Sequence, residues 1–250
     1  MTNTNNNNKV ALLNSQTHHN IKILQKKYNT EQNRINVVNV VISELKMLVH
    51  EYPIFMTKHP KTDQLQLVAI LGFKLGENLY LDGDHWRATY LPLDIMRRPF
   101  QAFIPEQDSY GKGHIAIDLS AEQVSTSEGT ALFDEQGNKT AYMQRIEKTF
   151  SEIMLGSQQT QRLLQQADEL GLVEGITLDI ELPTQGKVSL NGLFAFNKSA
   201  VDKLTGNSLQ ETHQSGLLQV IHLVLSSSLH LQKLINWSTQ NNTAEENNDE

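Results

Sequence analysis

Nine histidines are the side chains of this 250-residue chain best suited to hold a metal, but their spacing does not form a ligand set. A helix brings ligands together at i, i+3 or i+4. His222 and His230 are eight residues apart and so stand about 80° from each other around a helix axis, while His213, nine before His222, falls on nearly the opposite face. His18 and His19 are neighbours and diverge in any regular structure. No metal and no cofactor are expected from this pattern. A metal-dependent or flavin-partnered enzyme would need distant residues such as His85, His114 and His222 to converge.

Other chemistries meet similar obstacles. The carboxylates of Asp82-Gly83-Asp84 suit a hard cation, but the ligand run and terminal bidentate Glu of a calcium loop are missing, and Asp and Gly also favour a tight hairpin turn. Gly72 and Gly76 are not followed by the Gly-Lys-Ser/Thr of a phosphate cradle, and no G-x-S-x-G elbow presents a serine nucleophile. Glu44 with Glu51, or Asp168 with Glu169, could form an acid–base pair only if the fold brought them to one cleft. The group with most functional character is Glu51, Tyr52, Asn78, Trp86, Arg87, Tyr90, Arg97 and Arg98, together with Phe100. Aromatic rings give flat contact area and arginine gives a planar donor fork, which suits recognition. The same residues also suit a core of rings with arginines paired to nearby acids.

The elements that must position these residues follow from periodicity. Short apolar bursts at 10–13 and 21–24 read as edge strands, and residues 44–49 form a helix that Pro53 stops. Residues 54–57 and 65–71 read as strands, the second with a continuous apolar end that implies burial on both faces. A hairpin turns at Asp82-Gly83-Asp84, with 86–90 as its return strand. Further strands are expected at 115–119 and 131–133, then two helices after Ala141 separated by Gly156, a strand pair at 177–182 and 188–196, and one buried helix over 215–237. Strands followed by helices predict an α+β fold: mainly antiparallel meander sheets covered by C-terminal helices.

Composition bounds the rest. Residues 1–8 (MTNTNNNN) and 238–250 (STQNNTAEENNDE) lack the apolar side chains that offset ordering, so they are expected to be a disordered leader and a disordered acidic tail around one domain at 9–237. A net charge of −7 and a pI near 5.7 argue against a nucleic-acid partner. The basic pairs Lys26-Lys27 and Arg97-Arg98 read as solvated surface. The absence of cysteine excludes disulfides, thiolate nucleophiles and cysteine-ligated metals. No apolar run is long enough for a membrane span or a signal peptide, so a cytoplasmic location is expected.

Several segments also carry a family resemblance. YPIFMTK, LVAILGFKLGENLYLDGDHWRATYLP and RRPFQAF resemble the motif series of the SapC family, a bacterial family named from a surface-layer gene cluster. The likeness continues through Leu132-Phe133-Asp134-Glu135-Gln136-Gly137, through Asn191-Gly192-Leu193-Phe194, and into Gly216-Leu217-Leu218 with Ser226 and Leu229. The resemblance implies an accessory or binding protein that recognises a protein or small-molecule partner without covalent chemistry. It supplies no catalytic residues, and it implies surface-layer association through the family name alone.

Overall fold

The computed structural model describes residues 10–103, 113–182 and 186–246, with side chains through residue 240. The leader at 1–8, residues 183–185 of the turn between the late strands, and 247–250 of the tail lie outside the described residues. In chain order the strands are β1 (Val10–Leu12), β2 (Lys22–Ile23), β3 (Val37–Asn39), β4 (Ile54–Lys58), β5 (Leu65–Ile70), β6 (Leu81–Asp82), β7 (His85–Trp86), β8 (Phe100–Phe103), β9 (His114–Asp118), β10 (Val124–Ser125), β11 (Thr130–Ala131), β12 (Val173–Leu182) and β13 (Gly186–Phe196). The α-helices are α1 (Leu45–Leu48), α2 (Leu93–Met96), α3 (Ala141–Glu169), α4 (Lys198–Val201), α5 (Gly206–Gln214), α6 (Leu217–Ser227) and α7 (His230–Glu246). Every strand pair is antiparallel, and the last four helices follow the last strand, which is the α+β class read from the sequence.

The chain divides into two compact units. The first draws on Met1–Arg34, Leu81–Trp86 and Ile95–Glu152, the second on Ile35–Tyr80, Arg87–Asp94 and Ile153–Glu250. The stretch 9–237 that reads as one domain is thus shared between them, and α2 and α3 each contribute to both.

In the first unit, one sheet has the order β1-β9-β8 and another the order β10-β2-β11. β1 is an edge strand as expected, but β2 is central, because two later strands add to both of its sides. Phe100, Ile117, Leu132, Met143 and Ile146 fill the core, so the start of α3 supplies the helical wall. The Asp-Gly turn closes the β6–β7 hairpin with Asp82 opposite His85, and Gly83 adopts a φ of 54° that an L side chain resists. The expected return strand over 86–90 ends at Trp86.

The second unit is built on a five-stranded sheet of order β12-β13-β4-β5-β3. The apolar end of β5 is buried on both faces as its composition predicts, with Val68, Ala69 and Ile70 almost inaccessible. α6 packs on β4 and β13. Two helix expectations need correction. α3 is a single helix through Gly156 rather than two, since one glycine costs an otherwise helical run only about 1 kcal/mol. That glycine is used for close approach: a Cβ there would stand 2.7 Å from Val41 Cγ2 and 2.9 Å from Ser43 Oγ. One turn on, the Thr160 hydroxyl donates to the Gly156 carbonyl at 2.7 Å and accepts from the Ile42 amide at 3.0 Å. Met154, on the same helix, is exposed.

The run at 215–237 is two helices rather than one. Ser226, Ser227 and Ser228 each donate a hydroxyl to the carbonyl three residues earlier, at 2.8, 2.6 and 2.9 Å. Three consecutive back-bonded hydroxyls compete with the amide ladder, and α6 ends there. α7 then runs beyond Trp237, through residues that composition assigns to the tail. Ser227 is fully buried and also accepts the Ile54 amide at 2.9 Å, tying α6 to the start of β4.

Two substitutions test this packing. Gly156→Ala should lower stability by about 1–3 kcal/mol in urea unfolding, because Val41 and Ser43 must move aside. Ser227→Ala should cost about 1–3 kcal/mol, the penalty of leaving the buried Ile54 amide without its acceptor.

Candidate functional site

In the second unit, Glu51 and Tyr52 occupy the short link between α1 and β4, where Pro53 ends the helix. The amides of both return to the Leu48 carbonyl, at 2.9 and 2.8 Å, so the helical turn fixes their side-chain directions. The Glu51 carboxylate accepts the amides of Thr89 and Tyr90 at 2.7 and 2.9 Å. Beyond the hairpin, the Arg87 amide still donates to the Tyr80 carbonyl at 2.8 Å, and residues 89 and 90 then give their donors to Glu51. The Glu51 carbonyl takes the Tyr80 hydroxyl at 2.7 Å and also the Lys233 ammonium. The Tyr52 hydroxyl donates to the Tyr90 carbonyl at 2.5 Å, and the Tyr52 ring stacks on Tyr80 with centroids 4.5 Å apart.

Trp237 of α7 meets Tyr80 edge-on at 5.2 Å. Lys233 stands 5.1 Å from the Tyr80 ring centre and 4.9 Å from that of Trp237, and Arg87 lies 5.4 Å from the Trp237 ring. Burial pushes the Tyr80 phenol well above the usual range and pulls the Lys233 ammonium down, with Glu51 opposing the latter. The Asn78 side-chain oxygen Oδ1 accepts the Tyr80 amide at 3.1 Å and so sets the approach to Tyr80. Glu51, Tyr52, Asn78, Arg87 and Tyr90, five of the residues singled out by sequence, therefore belong to one cluster. Lys233 and Trp237, which complete it, have no sequence signal beyond lying on an apolar helix.

Glu44 adjoins this cluster through Tyr90. Glu44 is only 3% exposed, and its carboxylate accepts the amides of Val41 and Leu93, both at 3.0 Å, and the Tyr90 hydroxyl at 3.2 Å. Burial outweighs these three donors, and with Asp94 nearby it pushes the Glu44 carboxyl up to about 7. Glu44 and Glu51 each accept backbone amides of the segment 89–93.

Trp86, Arg97 and Arg98 belong to the first unit. Trp86 packs edge-on against Tyr28 at 6.2 Å. Arg97 donates to the Phe100 carbonyl at 2.8 Å and lies 6.0 Å from the Phe150 ring, and Arg98 donates to the Gln32 carbonyl and to Asn33 Oδ1. Both arginines serve internal joints here, and Phe100 is fully buried in the core.

Among the described residues, the first unit has a groove of about 760 Å³ lined by residues 23–28, Asp84, His85, Gly129 and Thr130. Its floor depends on Gly129. With a φ of 104°, this residue lies so flat on β2 that a Cβ would stand 2.5 Å from the Ile23 carbonyl oxygen. Gln25 donates to Thr130 Oγ1 at 2.5 Å and accepts from Arg145 at 3.1 Å, which holds one wall to the other. Lys26 is exposed, Lys27 faces Glu122 at 3.7 Å, and burial raises the Tyr28 phenol so that it stays a donor. Among the described residues, no group of three or more His, Asp or Glu side chains is arranged to hold a metal, and no helix is long and apolar enough to cross a membrane.

Comparison with known proteins gives one positive finding. The family model described as SapC matches residues 13–234, most of the chain. No curated protein and no solved structure matches it.

The buried Glu44 predicts a pH dependence. Its folded value lies above the ordinary 4.5, so the stability it contributes is complete below 4.5 and is lost as the pH rises through about 7. Urea unfolding at a series of pH values should show a loss of about 3 kcal/mol across that window. Glu44→Gln, which cannot titrate, should flatten the slope.

Proposed function

This chain belongs to the SapC family, and we propose that it is an accessory protein of the cytoplasm that recognises a small-molecule ligand without covalent chemistry, with residues 9–237 working as one domain. The observation that carries this reading is the groove of the first unit. At about 760 Å³ it falls within the roughly 300–1,000 Å³ typical of small-molecule sites. It combines an apolar side, Ile23 and Leu24, with polar side chains from three separate segments: Lys26, Lys27 and Tyr28, then Asp84 and His85, then Thr130.

The residues singled out by sequence then divide by role. Trp86 packs edge-on against Tyr28 of the groove lining. Arg97 and Arg98 hold the surrounding backbone, and Glu51, Tyr52, Asn78, Arg87 and Tyr90 are scaffold, since their polar groups meet partners within the second unit.

A fragment set titrated into the isotope-labelled full chain tests the reading by amide shifts. Shifts should gather at residues 23–28, 84–85 and 129–130, and Lys26→Trp, which fills the groove from an exposed position, should remove them. Shifts confined to other residues, such as 233–237, would reject the groove.

A further inference from the structure

We infer that the groove of the first unit takes a small organic anion, one carrying a carboxylate or a phosphate on a compact ring. This rests on the groove being the binding site. The charge the groove can accept depends on which of its polar groups are already used. The Gln25 side chain is spent inside the protein: its amide donates to Thr130 and its oxygen accepts from Arg145. The cationic groups are not. Lys26 makes no hydrogen bond or ion pair among the described residues. Lys27 has Glu122 at 3.7 Å, beyond the roughly 2.7–2.9 Å of a strong charge-assisted bond. The other oxygen of Glu122 is already engaged, accepting the Glu31 amide at 3.0 Å.

Charge around the groove also runs against the charge of the chain. The protein carries −7 in all, yet Lys26 and Lys27 line the groove and Arg145 reaches its Gln25 wall, against Asp84 and Glu122. A net-acidic surface repels anions at long range, and added salt screens that repulsion within about 10 Å at 0.1 M. An anion held here is therefore held by local ammonium groups. Tyr28 adds a hydroxyl and an aromatic ring to the same lining, and Trp86 packs edge-on against that ring.

Two probes of similar shape separate the charge from the groove: phenyl phosphate, an anion on a ring, and benzyl alcohol, its neutral counterpart. Titrated into the isotope-labelled full chain, phenyl phosphate should saturate the amide shifts of residues 23–28, 84–85 and 129–130 at a concentration at least about tenfold lower than benzyl alcohol. That is the effect of one charge-assisted hydrogen bond. Lys26→Ala with Lys27→Ala should abolish the preference while the spectrum elsewhere stays unchanged. Equal binding of the two probes at the groove would overturn the anion inference and leave groove binding standing. A preference that survives the double substitution would overturn the assignment to the lysines. Silence of the groove to both probes would overturn the inference, and silence to the fragment set as well would take the groove reading with it.

Discussion

Glu51 holds its neighbourhood with both of its ends. Its carbonyl receives the Tyr80 hydroxyl and the Lys233 ammonium, while its carboxylate receives the consecutive amides of Thr89 and Tyr90. One residue thus joins the start of β4, the approach to the β6–β7 hairpin, the segment leaving that hairpin, and α7. The geometry is economical, because two adjacent amides presented to one carboxylate fix a local backbone direction as well as a distance. Tyr52, next in sequence, continues the pattern by donating to the carbonyl of the same Tyr90 whose amide Glu51 accepts. The paired tyrosine rings and the cations on Trp237 are organised around this bonded frame.

This frame also shows why polar density alone is a poor guide to function. The second unit gathers the more chemically suggestive residues: two carboxylates, three tyrosines, two cations and a tryptophan. Nearly every one is occupied with its own backbone or with another ring. The groove of the first unit has plainer residues, but its ammonium groups are left with spare donor capacity. Unspent hydrogen-bonding capacity at a concave surface is what a ligand can use.

Much of the architecture is legible in the sequence because it depends on local pattern. Continuous apolar character marks β5, alternation marks β12 and β13, and Asp-Gly marks the β6–β7 turn. The errors arise where a distant partner decides. Gly156 reads as a break, and only the nearness of Val41 shows it to be a contact inside a continuous helix. The run at 215–237 reads as one helix, and the break within it coincides with three consecutive serine hydroxyls bonded back to the preceding turn. The clustering of Glu51, Tyr52 and Tyr90 is foreshadowed by residue type, while Lys233 and Trp237 join them from about 180 residues away by hydrogen-bond separation. The groove was the least legible feature: its longest wall, residues 23–28, reads as a strand end followed by a polar stretch, and the concavity comes from three segments remote in sequence.

The placement of the two tryptophans has a consequence for how the molecule reports on itself. Trp86 belongs to the first unit and rests against a tyrosine edge, whereas Trp237 belongs to the second and carries two cations near its ring. Each compact unit therefore contains one indole chromophore, and the two sit in different local electric fields. A nearby positive charge perturbs the excited state of an indole, so their emission bands need not coincide. The chain carries a separate built-in optical label for each half of its structure.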